Sequence, residues 1–197
     1  INLSRFGDIY YLEADYFWGR IGKLNGWRSD MEYYSIILGA AIHMIDLIIW
    51  MLGLNPVSVY ALGNRIGSKN TKLEFNSFAV MLLKFPNDLI VKITGNGPCT
   101  HPHFHGVKIF GSKRTMIHNF SESFFFERSR SGIIKKDLSK QNFKNNKKDK
   151  IITNFIDSIL DTELSPIVNQ KDIYNVMAVC FAAERSIMTK QMVNIVY

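Results

Sequence analysis

Residues 33–53, YYSIILGAAIHMIDLIIWMLG, constrain this chain more than any other stretch: nearly every side chain is apolar, yet His43 and Asp46 stand near the middle. The stretch is long enough to cross a bilayer. An aspartate at the centre of a span, however, costs about 2.5–3.5 kcal/mol on insertion scales, and a histidine adds to that. The rest of the chain is an ordinary mixture, 47% hydrophobic and 21% charged over its 197 residues. A buried helix of a globular domain is therefore expected. On such a helix Gly39, His43, Asp46 and Trp50 fall at i, i+4, i+7 and i+11, on one face. Gly39 and Ala40 leave room beside His43 for a ligand, a second backbone or a packed strand. Asp46, three residues on, is placed to hold the imidazole in one tautomer, as an orienting carboxylate does.

Around this helix the pattern is β. Residues 7–18 alternate and are rich in Tyr and Ile, and residues 56–64, 75–85 and 89–97 read as successive strands. Phe85-Pro-Asn-Asp88 has turn chemistry, since Pro presets φ and Asn and Asp accept tight conformations. Residues 105–120 form a further hairpin turning at Gly111-Ser112, and residues 121–128 extend it. The helix is expected over Tyr33–Leu52, with Ser29 or Asp30 capping an early turn and Gly53 and Pro56 ending it. Residues 149–161 set Ile152, Phe155, Ile156, Ile159 and Leu160 in one apolar stripe, residues 169–190 form a longer helix, and residues 191–197 a closing strand. Grouped strands and grouped helices predict an α+β fold: one domain over residues 1–197, a largely antiparallel, open-faced sheet with helices packed on one face.

The formal net charge of +7 is concentrated: seven lysines against two aspartates put +5 of it in residues 135–150. That run has no helical or strand period and reads as a solvated loop. Its other possible use is a polyanion patch at Lys144, Lys147 and Lys148; no aromatic RNA-binding motif or Cys/His finger accompanies it. Cys99 and Cys180 are no disulfide framework, which suits a reducing cytoplasm, and Cys180 belongs to an apolar helical stretch. The first residues lack a signal-peptide pattern. The chain opens on Ile1 directly before a strand-like stretch, which leads us to expect a start within a longer protein. His101, His103 and His105 would align on a strand and three histidines can hold zinc, but Pro102 interrupts the strand and only Cys99 lies nearby, so no metal is expected.

GAAIHMIDLIIWMLGLNPVSVYALGN resembles the C-terminal domain of the Gfo/Idh/MocA family of NAD(P)-dependent sugar oxidoreductases, in which small residues lead into a G-x-H-x-x-D-L helix, a turn with Pro and a strand. GDIYYLEADYFWGR, GWRSD, FPNDLIVKITGNG, HGVKIFGSKRTM and DIYNVMAVCFAAERSIMTKQMVNIVY resemble other pieces of that domain, in order, over essentially the whole chain. The resemblance implies hydride transfer to or from a sugar or nucleotide sugar, with His43 in the place of the histidine that transfers the proton and Asp46 as orienting residue. Tyr16, Arg20, Arg28, Asn96, His103 and His105 are the implied substrate-binding residues. The family often carries an Asp four residues before the histidine, where this chain has Gly39.

The family's N-terminal half is a Rossmann domain with a G-x-G-x-x-G loop and a catalytic Lys. The glycines at 63, 67, 95 and 97 make no such fingerprint. The resemblance therefore implies a C-terminal portion, inactive alone, with NAD or NADP bound by the missing Rossmann domain and no cofactor on this domain. It also implies a homo-oligomer through the open sheet face; from the residues themselves, no membrane partner is expected and nucleic acid is not favoured. The rival reading is a non-catalytic binding or oligomerisation module of the same fold.

Overall fold

The computed structural model describes residues 3–138, 149–161 and 163–197. Among these residues nine strands form one sheet: β1 (Ile9–Phe17), β2 (Ser58–Asn64), β3 (Phe78–Lys84), β4 (Ile90–Asn96), β5 (Phe104–Gly111), β6 (Arg114–His118), β7 (Ser123–Ser129), β8 (Gly132–Asp137) and β9 (Val193–Asn194). Their order is β8-β7-β6-β5-β1-β4-β3-β2-β9. Only β1 and β4 pair in parallel; every other neighbour is antiparallel. The helices are α1 (Ile42–Leu52), α2 (Asp149–Leu160) and α3 (Gln170–Thr189). The α+β expectation is met. Among the described residues no helix is long and apolar enough to cross a membrane.

Side chains on a strand alternate between faces, and the register sorts them. Leu12, Ala14 and Tyr16 of β1, Val91 and Ile93 of β4, and Val107 and Ile109 of β5 are buried. They share a core with Met44, Ile45 and Ile48 of α1 and Val176, Val179, Cys180 and Ala183 of α3. The opposite face carries Tyr11, Glu13 and Asp15 beside Lys92, Thr94 and Lys108. There Lys92 bridges Glu13 at 3.2 Å and Asp15 at 3.0 Å, and Lys108 reaches Glu13 at 3.0 Å. Burial pushes the Glu13 carboxyl up, but Lys108 and Lys92 outweigh it and hold the group below its ordinary range.

Four sequence expectations are corrected. Residues 33–36 are not part of the helix: the Ile36 N–H donates to the Asn76 carbonyl at 3.0 Å, and the buried Glu184 of α3 accepts from Tyr33 Oη at 2.8 Å and from Ser35 Oγ. These tertiary bonds hold the segment away from helical geometry until a π-turn, Ile37–Ala41, leads into α1. Ser29 does not cap it; its hydroxyl donates to the Gly26 carbonyl at 2.7 Å. Residues 135–137 belong to β8 and not to a loop, paired with β7; Lys140, Lys144, Lys147 and Lys148 lie outside the described residues. The closing strand spans two residues, Val193–Asn194. At the other end of α1, Gly53 turns left-handed (φ 63°, ψ 23°) and its N–H donates to Ile49 O at 2.9 Å, as a glycine end should.

Candidate active site

The helix reaches the sheet because small residues meet there. A Cβ on Gly95 of β4 would lie 3.1 Å from the Ala41 Cβ and 3.2 Å from the Ile36 carbonyl, so the π-turn rests almost on the strand backbone. Its close seating brings the first turn of α1 over the end of β1, where Tyr16 is buried on the helix side. His43 leaves α1 at this point and is exposed.

His43, Met44, Asp46, Leu47 and Trp50 of α1 and His105 of β5 line a cleft of about 260 Å³. The expected shared face of His43, Asp46 and Trp50 is thus present. Gly39 departs from it: the space beside it is filled by the Tyr34 hydroxyl, which lies 1.7 Å from where a Cβ would stand. Among the described residues no hydrogen bond joins Asp46 to His43.

Tyr16 is the hub of the cluster. Its ring meets His43 edge-on at 5.7 Å, His105 at 4.3 Å and His103 at 5.2 Å. His103 and His105 lie 5.2 Å apart. Burial, then the neighbouring His103 and His43, pushes the His105 imidazole below its usual value, so it is neutral near pH 7 and can both donate and accept a hydrogen bond. Burial raises the Tyr16 phenol, while Arg20 and Arg28 pull it down less strongly. His101 goes elsewhere. Its ring stacks on Phe17 at 4.6 Å and meets Phe120 edge-on at 5.5 Å, because β5 begins only at Phe104. Among the described residues no three His, Cys, Asp or Glu groups converge as a metal site.

Arg28 stands among aromatic rings, its guanidinium 4.2 Å from Trp27, 5.2 Å from Trp18 and 5.9 Å from Tyr34. It pairs with no carboxylate among the described residues. Arg20, exposed, precedes a short 3-10 turn, Ile21–Asn25. Asn96 is not part of the cluster: β4 alternation puts it with Lys92 and Thr94, across the sheet from α1. The glycines at 63, 67 and 97, which make no dinucleotide fingerprint in the sequence, are packing glycines. A Cβ on Gly63 would meet Asn76 at 2.9 Å and Ile187 at 3.0 Å; on Gly67, Pro98 at 2.5 Å; on Gly97, Ser77 O at 2.9 Å.

Tyr34 is the residue that sequence reasoning missed. The one available signal was Gly39, four residues ahead of the histidine, which implies a large neighbour as readily as an empty space.

The family model described as the GFO/IDH/MocA C-terminal domain matches residues 1–117. Among curated proteins no sequence matches. Among solved structures, an oxidoreductase domain protein from Kribbella flavida superposes with a TM-score of 0.79 at 14% identity, over 98% of this chain and 61% of that one. The WlbA dehydrogenase from Bordetella pertussis, in complex with NADH and UDP-GlcNAcA, gives 0.73 at 20% identity, over 98% of this chain and 57% of that one. Scyllo-inositol dehydrogenase from Lactobacillus casei, with bound NAD(H) and scyllo-inositol, gives 0.72 at 16%, over 98% and 58%. The chain spans under two thirds of the length of each. With the family model covering more than half its residues and the same fold in these structures, the chain belongs to the Gfo/Idh/MocA C-terminal domain family.

Proposed function

We propose that this chain is the substrate domain of an NAD(P)-dependent oxidoreductase acting on a sugar or nucleotide sugar, with His43 exchanging a proton with a substrate hydroxyl. The observation that carries the reading is the exposed His43 imidazole lining a cleft with His105 and packed edge-on to Tyr16. An imidazole carries both a donor and an acceptor nitrogen, which suits a group that takes and returns a proton. His105 and His103 supply hydrogen bonds to further hydroxyls, Tyr16 backs the three imidazoles from below, and the exposed Trp50 on the cleft wall gives the apolar face on which a sugar ring rests. Arg28 and Arg20 face an anionic substituent, phosphoryl or carboxylate. Asp46 orients the substrate or the imidazole from the same wall. Structural neighbours named for inositol, UDP-N-acetylglucosamine and UDP-GlcNAcA support the substrate class. Oxidation of a carbinol also needs a hydride acceptor. NAD or NADP would supply it from a separate nucleotide-binding domain.

One observation favours a second reading, a non-catalytic binding or oligomerisation module: position 39 carries no carboxylate and is plugged by Tyr34. The same experiment separates the two. With the nucleotide-binding domain joined to this chain, His43→Ala should lower turnover by about 10²–10⁴-fold, the usual worth of acid–base help. Unchanged turnover, or no turnover in the parent, favours the module.

A further inference from the structure

The segment ahead of His43 has an unusual geometry and an unusual filler. Over Ile37–Ala41 the helix is widened to a π-turn, and the Ile42 N–H reaches back five residues to the Ile37 carbonyl. A π-turn adds one residue, about 100° of helical phase, relative to an α-helix of the same span. Everything downstream, His43 included, is aimed by that extra residue.

The packing of α1 alone selects its phase weakly. Met44, Ile45 and Ile48 are buried, but Ile42, Leu47, Ile49, Met51 and Leu52 are also apolar and half-buried against the same core. With apolar side chains flanking the His43–Asp46–Trp50 face on both sides, a small rotation of the helix costs little burial, and the pattern sets its phase only coarsely. Something other than the hydrophobic pattern has to keep the turn wide.

Tyr34 is in that position. A Cβ on Gly39, the middle residue of the π-turn, would lie 1.7 Å from Tyr34 Oη, 2.3 Å from Cζ and 2.8 Å from Cε2. The tip of the phenol ring is lodged against the Gly39 backbone. Arg28 lies 5.9 Å from this ring, and Ser35, the next residue, is tied to Glu184. The Tyr34 hydroxyl is buried and meets no hydrogen-bond geometry; the Arg28 guanidinium is near enough to oppose the upward push of burial on the phenol without being aligned with it. A buried hydroxyl without a partner points to a ring retained for its shape.

We infer that Tyr34 is a positioning residue: its ring, wedged against Gly39, keeps the π-turn open and thereby sets the phase at which His43 faces Tyr16 and His105. The importance of that phase rests on the function proposed for His43. The wedge itself is tested without a sugar or a cofactor.

The test is the His43–Tyr16 ring contact, read by NMR as a cross-relaxation peak between the two rings in the 197-residue chain. Tyr34→Phe retains the wedge and removes only the unpartnered hydroxyl; it should keep the contact, with Tm unchanged or higher. Gly39→Ala places a methyl in the ring's space, and Tyr34→Leu withdraws the ring tip; both should lose the contact while Ile93 and Val107 amide peaks stay in place. Retention of the contact in either variant overturns the inference. So does its loss in Tyr34→Phe, or a Tm fall of several degrees there, which would mean that the hydroxyl and not the ring holds the turn. Should one of Gly39→Ala and Tyr34→Leu fail to fold, the other decides; should both fail, Tyr34→Met, which keeps apolar volume without the ring, is held to the same criterion. A contact that behaves as expected beside an inactive His43 would leave the wedge standing and the enzymatic reading fallen.

Discussion

His105 and His118 carry the clearest pH signature. Both imidazoles are held below their ordinary value, His105 by burial and then by His103 and His43, His118 by burial. Between the folded value and about 6.5, where a free imidazole titrates, the unfolded chain binds more protons than the folded one. Stability is therefore full above about pH 6.5 and is lost as pH falls toward the folded values. Thermal melts at pH 5.5 and 7.5 should show the drop, and His118→Asn should flatten it; an equal slope in the variant counts against the assignment. Glu13 acts in the same direction further down. Held below the range of a free carboxyl by Lys108 and Lys92, it loses its contribution only as pH falls below about 4.3. At this scale His43 was legible, because an ionisable group in an apolar run demands a reason. Tyr34 was not, since the space beside a glycine says nothing about what fills it. Nor was the face on which Asn96 lies: a shift of one residue in register exchanges the faces, and only pairing with β1 and β3 settles it.

At the scale of elements, α3 is stitched to the sheet by one hydroxyl. Ser186 Oγ accepts the Ala61 N–H of β2 at 2.9 Å and donates to the Gln191 carbonyl at 2.6 Å, fully buried. Ser186→Ala leaves a buried N–H without a partner and should cost about 1–3 kcal/mol, read as a lower denaturant midpoint at unchanged m; a loss below about 0.5 kcal/mol would show that the backbone finds another partner. The strands between residues 56 and 97 were legible from alternation and from the Phe85–Asp88 turn. The start of the helix was not, because bonds from Asn76 and Glu184, distant in sequence, overrule the local preference of residues 33–36. The stripe of α2 was legible as a helix, yet Ile152, Phe155, Ile156, Ile159 and Leu160 are exposed, so an amphipathic pattern gave the element without its partner.

For the molecule as a whole, one face of the sheet is covered by α1 and α3, and among the described residues no helix covers the other. Leu62, Leu82 and Ile90 are about half exposed on the open face, around the Glu13, Asp15, Lys92 and Lys108 network. That arrangement suits pairing of two copies, apolar contact flanking charges already satisfied within each. The parent chain should run as a dimer or larger by light scattering, and Leu62→Lys with Leu82→Lys should shift it to monomer; a parent that is monomeric at tens of micromolar contradicts the pairing. The central claim, that the cleft beside α1 receives a sugar with His43 at its reacting hydroxyl, has a more direct measurement. Imidazole NMR signals of the five histidines are followed while myo-inositol, UDP-N-acetylglucosamine or UDP-GlcNAcA is added. The account expects saturable shifts of His43 and His105 with at least one of these, and little change at His118, which is engaged with Ser123 of β7 and does not line the cleft. Shifts confined to other histidines, or none with any compound, would contradict it.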